Sequence, residues 1–173
     1  MNKELYFSGI GSRSTPDNIM SKMKSISHYL TSKGFYLNSG GATGADSAFE
    51  EGAIFEKRRI YLPKEGFNKK HSNGKEYIVP PYNEELIKKY HPKFEALTKD
   101  GRLFMSKNSY QVLGYTLEKP VDFVVCWTEG GKMKGGTAQA MRIAMDYNIP
   151  IFNLYRVDTI NLLKNFLEYK GYI

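Results

Sequence analysis

Ser39-Gly40-Gly41-Ala42-Thr43-Gly44-Ala45-Asp46 follows the apolar run Phe35-Tyr36-Leu37 and opens onto the helix-like Ser47-Ala48-Phe49-Glu50-Glu51-Gly52-Ala53. Glycines at a strand-to-helix turn admit backbone conformations closed to other residues and clear side chains away from the amides. At a helix N-terminus those amides carry partial positive charge and suit a phosphate or another anion. The stretch therefore predicts either a nucleotide-binding turn or, as the plainer alternative, a tight glycine turn with no ligand.

Two further segments bear on that choice. Leu5-Tyr6-Phe7-Ser8-Gly9-Ile10 has the pattern of a first strand and runs into Gly11-Ser12-Arg13-Ser14-Thr15-Pro16, before an amphipathic helix carrying Ile19, Met23, Ile26 and Leu30. Pro16 suits a first helical turn, with Thr15 as its cap. Val121-Asp122-Phe123-Val124-Val125-Cys126-Trp127 has the pattern of a buried strand. It precedes the loop Thr128-Glu129-Gly130-Gly131-Lys132-Met133-Lys134-Gly135-Gly136-Thr137 and a helix from Ala138. Three such loops, each after a strand, meet at the carboxyl edge of one parallel sheet.

The coarse order is strand 4–10, helix 16–33, strand 35–38, helix 45–56, strand 58–62, a long surface loop over 63–82, and helices at 83–98 and 103–116. Strand 121–126, helix 136–147, strand 149–153 and a last helix near 158–169 complete it. The expectation is a single α/β domain spanning 1–173, Rossmann-like and doubly wound on a mostly parallel sheet, with a basic helical and loop insertion at about 63–118.

Gly11-Ser12-Arg13, the helix after it, and Ser39 to Asp46 with Gly52-Ala53 behind resemble the Rossmann-like domain of the DNA-processing protein A (Smf) family. Gly135-Gly136-Thr137 with Ala144 resembles the phosphate loop of the "lonely guy" phosphoribohydrolases, which share that fold in the SLOG superfamily. The resemblance spans roughly residues 4 to 154 and leans toward small stand-alone members of the kind carried by phages. It implies a nucleotide or nucleic-acid ligand and a homodimer or higher homo-oligomer. Phosphoribohydrolases carry a catalytic Glu three residues after the Gly-Thr pair, where this chain has Ala140. An alanine neither stabilises an oxocarbenium ion nor activates water.

The 173 residues are 41% apolar with a net charge of +7, and no apolar run is long enough to span a bilayer. With no signal peptide evident, the expected setting is cytoplasmic. The lone Cys126 excludes an internal disulfide and suits a buried thiol. His28, His71 and His91 are scattered, so no metal site is expected. Residues 57–93 hold ten Lys/Arg against four Glu, interleaved with Phe67, Tyr77, Tyr82 and Tyr90. That balance suits a basic lid over an anion site, or a solvated loop.

The sequence assigns one phosphate or ribose edge to Gly11, Ser12 and Arg13, and the cradle to Ser39, Gly40, Gly41, Thr43 and Gly44. A Val at Gly41 would then block the ligand without disturbing the fold. Asp46 accepts from a sugar hydroxyl or caps its own helix. Gly135, Gly136 and Thr137 hold a second anionic group; Ser106, Asn108 and Gln111 suit a base or ribose edge, and Trp127 a base face. The leading expectation is a non-catalytic receptor or sequestering protein for a mono-, di- or cyclic nucleotide or an ADP-ribose-type molecule, possessing no required cofactor and, as a phage-type protein, directed against nucleotide signalling. The alternatives are a nucleoside or nucleotide N-glycosidase or deoxyribosyltransferase drawing on Asp46, Glu50, Glu51 or Glu129, and single-stranded DNA binding of the DNA-processing type.

Overall fold

In the computed structural model, which describes residues 3–173, six parallel strands form one sheet in the order β4-β3-β2-β1-β5-β6. The strands are β1 (Tyr6–Gly11), β2 (Tyr36–Ser39), β3 (Arg58–Tyr61), β4 (Tyr77–Ile78), β5 (Phe123–Trp127) and β6 (Ile151–Asn153). The helices are α1 (Asp17–Ser32), α2 (Ala45–Gly52), α3 (Glu84–Tyr90), α4 (Lys99–Leu113), α5 (Thr137–Asp146) and α6 (Thr159–Tyr169). The chain builds outward from β1 to β4, then returns to lay β5 on the other side of β1, so the strand order reverses between these two central strands.

Alternation along the strands feeds two cores, as a sheet buried on both faces requires. Phe7, Leu37, Phe123 and Val125 pack under α1, α2 and α6 through Met23, Leu30, Phe49 and Leu163. Ile10, Val124 and Cys126 pack on the opposite face under α4 and α5 through Val112, Ala140 and Ile143. Burial pushes the Cys126 thiol up to about 12, so it stays protonated and inert at neutral pH. Of the apolar residues on the last two helices, Ile143 and Leu167 are buried in these cores and Leu162 is exposed.

The fold class follows the sequence expectation, and several elements differ from it in detail. The segment 63–82 is not only a loop, because Tyr77–Ile78 adds an edge strand to Ile60 and Tyr61. Nor is 63–118 an appendage: Val112 and Leu113 of α4 are fully buried in the second core. The helix expected over 45–56 ends at Gly52, where a Cβ would run into the backbone of Lys24 on α1. That expected over 83–98 ends at Tyr90, because His91 precedes Pro92 and is extended, with φ −92° and ψ 122°. The helix expected from 103 starts earlier, capped by Thr98, whose hydroxyl accepts from the Gly101 N–H at 3.0 Å. Thr15 does not cap α1: Pro16 holds that position, and the Thr15 hydroxyl donates to the Ser12 carbonyl at 2.7 Å.

Candidate functional site

A cavity of about 570 Å³ opens at the carboxyl edge where the strand order reverses, the place at which open α/β sheets take their ligands. The loops after β1 and β5 are joined there by Ser12 N–H donating to the Trp127 carbonyl at 3.1 Å. Gly11, Ser12 and Arg13 form one wall, Gly135, Gly136 and Thr137 the opposite wall, and α4 the roof.

The first loop is internally braced. The Ser12 carbonyl accepts from the N–H groups of Thr15 and Ala45 at 3.3 and 3.2 Å, and the Ser12 hydroxyl accepts from Ser14 N–H at 3.1 Å. This bracing presents Arg13 outward. Its guanidinium is exposed, has no ion-pair partner among the described residues, and lies 5.3 Å from the Phe104 ring centroid on α4.

The second loop, on which the sequence argument leaned hardest, turns inward. Ser39 is fully buried and its hydroxyl donates to the Gly9 carbonyl at 2.6 Å, so it ties β2 to β1 and faces no cavity. A Cβ at Gly40 would land on Lys107 Nζ: the glycine makes room for a lysine of the same chain. Lys107 donates to the Gly40 carbonyl at 3.2 Å and lies 3.7 Å from Asp46 Oδ2, which also accepts from Ala42 N–H at 3.3 Å. Asp46 thus neither caps α2, whose N-cap is Gly44, nor stands free as a general acid; it is the counter-ion of a buried lysine. Burial pushes the Asp46 carboxyl up and the Lys107 ammonium down, and their mutual attraction opposes both shifts. Both side chains still line the cavity, Lys107 from α4.

Gly41 lies outside the cavity. Its φ of +70° requires glycine, its carbonyl accepts from Asn68 Nδ2 at 3.2 Å, and a Cβ would sit 2.8 Å from Leu62 Cδ2. A Val there would therefore strain the fold, contrary to the sequence expectation. Thr43 and Gly44 face a separate depression shared with Glu51. Glu51 itself pairs with Lys24 at 2.9 Å on the surface.

On the third loop Glu129 pairs with Lys134 at the exposed rim, which holds the Glu129 carboxyl below its usual range. Asn108 on α4 donates to the Gly136 carbonyl at 2.9 Å and ties the roof to the α5 N-terminus. Ala140 lies in the lining one turn further along.

Of the expected residues, the cavity gathers Gly11, Ser12, Arg13, Asp46, Asn108, Gln111, Glu129, Gly135, Gly136 and Thr137. It leaves out Ser106, whose hydroxyl accepts from Asn83 N–H at 2.9 Å and fixes the entry to α3. Trp127 is buried in the first core, and Glu50 accepts the Tyr77 hydroxyl away from the cavity, with Lys70 3.6 Å off. Lys107, Phe104 and Lys134 line the cavity and were missed. The signal for two of them was present: 104, 107, 108 and 111 follow the i, i+3, i+4, i+7 spacing of one helix face. The basic lid is corrected outright, because no residue of 57–93 lines the cavity. Those side chains lie around β3, β4 and α3, where Arg58, Lys64 and Lys88 pair with Glu76, Asp100 and Glu84.

No family model and no curated protein matches the chain. Among solved structures it is similar to DNA processing protein A from Helicobacter pylori, a structure described for that protein's single-stranded DNA binding mode. The identity is 21%, the TM-score 0.58, and the match covers 97% of this chain and 73% of that one. At that identity the likeness speaks for the fold, and the chain shares the Rossmann-like α/β fold of DNA processing protein A.

Proposed function

We propose that the cavity binds a nucleotide-derived small molecule and that the protein acts as a receptor or sequestering protein for it. The observation that carries the reading is the convergence, on one cavity at the strand-order reversal, of an exposed Arg13 with no ion-pair partner among the described residues, the first turn of α5 at Gly136 and Thr137, and the amide side chains of Asn108 and Gln111. Arg13 supplies a charge-assisted contact to phosphate, the α5 N-terminus adds amides and dipole, and Asn or Gln edges suit a base. The Arg13–Phe104 contact leaves an aromatic face for a base once the guanidinium moves onto phosphate.

The carboxylates argue for binding without turnover. Asp46 is held by Lys107, Glu129 by Lys134, and Glu50 and Glu51 lie outside the cavity. Hydrolysis of an N-glycosidic bond needs a carboxylate at the anomeric carbon, and Ala140 supplies none. Calorimetry across mono-, di- and cyclic nucleotides and ADP-ribose, with chromatography for released base, tests this. Binding that is lost in a folded Arg13→Ala variant, with no base released, is expected. Base release abolished by Asp46→Asn or Glu129→Gln would move the protein to the N-glycosidase class. The second reading, single-stranded DNA binding, is favoured by the ligand of the Helicobacter pylori protein, and the charge it needs lies away from the cavity.

A further inference from the structure

The basic stretch that does not line the cavity begins at the opposite end of the sheet, with Lys57, Arg58 and Arg59. At the amino edge three neighbouring strands begin side by side: Tyr6 is the register partner of Tyr36, and Leu37 that of Arg58, which puts Lys57 beside Tyr36. The Tyr6 and Tyr36 rings stack with centroids 5.0 Å apart. Lys57 Nζ lies 4.1 Å and the Arg59 guanidinium carbon 4.9 Å from the Tyr36 centroid. Behind them the Tyr61 ring packs 6.1 Å from Tyr110, which lies 6.4 Å from a half-exposed Tyr115 just beyond α4.

Side-chain alternation separates these cations from their neighbour. Arg58 turns to the other face and pairs with Glu76 at 3.1 Å, whereas Lys57 and Arg59 have no carboxylate within 4.0 Å among the described residues. Arg59 donates to the Arg58 and Glu56 carbonyls at 2.8 and 3.4 Å. The aromatic ring and these carbonyls hold both head groups in place, so an incoming anion meets oriented cations at little further cost in side-chain entropy.

We propose that this amino-edge surface binds the backbone of a single-stranded nucleic acid, with Lys57 and Arg59 on phosphates and Tyr115 as a stacking face. Lys57 closes the short helical turn before β3 and Arg59 is the second residue of β3, and with head groups 4.1 and 4.9 Å from one ring centroid the two cations stand close enough together to meet neighbouring phosphates of one strand. Partly exposed rings beside the cations favour nucleic acid over an acidic protein, since a stacking face gains nothing from carboxylates. Glu4, which accepts the Tyr6 hydroxyl at 2.9 Å, opposes the phosphates and weakens the contact.

Fluorescence anisotropy of the full chain with short labelled oligothymidylate, and oligouridylate as the second arm, tests the proposal; binding of either supports it, and the stronger arm identifies the sugar. Lys57→Gln with Arg59→Gln is expected to lower affinity about tenfold at moderate salt and to reduce the salt slope by about 1.4, the loss of two phosphate contacts. Glu4→Gln tightens binding, Tyr115→Ala weakens it, and Arg13→Ala changes it less than about twofold. Thermal unfolding of each variant verifies the fold. Unchanged affinity in the folded double variant, loss of binding in Arg13→Ala alone, or equal competition by a polyglutamate peptide overturns the proposal. The double variant keeps its nucleotide binding at the cavity, so the two sites fail separately.

Discussion

At the carboxyl edge, Lys107 is buried 3.7 Å from Asp46 in the cavity lining, and Glu129 and Lys134 neutralise each other at the rim, leaving Arg13 as the lining cation with no ion-pair partner among the described residues. At the amino edge, Lys57 and Arg59 lie on Tyr36 with no carboxylate within 4.0 Å among the described residues. Two of the three cations lining the cavity are held in pairs, whereas the two on Tyr36 are not. A buried pair resists screening and loses heavily when one member is removed, whereas open cations respond to salt and to external anions. The cations without a carboxylate partner thus fall at both ends of the sheet, Arg13 at the cavity and Lys57 with Arg59 at the amino edge, and the net charge of a sequence does not say which end holds them.

The largest expected effect breaks the buried pair. Lys107→Met leaves a buried Asp46 without its counter-ion and should cost about 3–5 kcal/mol of stability in urea unfolding. Adding Asp46→Asn should recover part of that loss, because the uncompensated charge is gone. A small cost for Lys107→Met would show the pair to be solvated and would remove the contrast between the two edges.

Next in size is Gly41→Ala, at about 1–3 kcal/mol, from forcing a side chain into a left-handed conformation against Leu62. The sequence made this glycine a ligand contact and the structure makes it a packing residue, so nucleotide affinity in the variant should be unchanged where the protein is folded. Reduced affinity at undiminished stability would return Gly41 to the site.

These two residues mark what could be seen in the sequence. The strand-loop-helix alternation and the three glycine-bearing loops were legible because period, glycine and capping chemistry are local. Gly40 and Gly41 were misassigned because a glycine that admits a ligand and a glycine that admits Lys107 or Leu62 have the same local pattern. Ser106 and Ser39 failed for the same reason: a hydroxyl that accepts a backbone N–H or donates to a carbonyl in the fold is indistinguishable, in sequence, from one aimed at a ligand. The short β4 was hidden among Pro80, Pro81 and charged residues, and its two residues are strand only because β3 offers an open edge.

Tyr36→Leu comes third, on the amino edge. It removes the stack with Tyr6 and the ring on which both cations rest, and should cost about 1 kcal/mol beyond the area lost. Its effect on oligonucleotide affinity should exceed its effect on stability, since Lys57 and Arg59 lose their orientation while keeping their charge. Equal affinity in Tyr36→Leu would mean that the cations need no ring to hold them.

The smallest expected effect is the one that most sharply separates the two edges. Arg59→Gln removes the contact with the Tyr36 ring and the hydrogen bonds to the Arg58 and Glu56 carbonyls and, at the same time, a repulsion from Lys57 on that same ring; these offset one another, so stability should change by no more than about 0.5 kcal/mol. Salt distinguishes the components. Screening weakens the repulsion between the two partly exposed head groups more than the short-range contact with the ring, so added salt should stabilise the wild-type protein slightly relative to Arg59→Gln. A surface ion pair behaves in the opposite sense, losing its value as salt rises. Chemical unfolding of both proteins at low and high salt measures the difference. A cost above 1 kcal/mol that shrinks with salt would mean that Glu4 or Glu56 partners Arg59 in solution, and the amino edge would then be closed by an internal pair just as the carboxyl edge is.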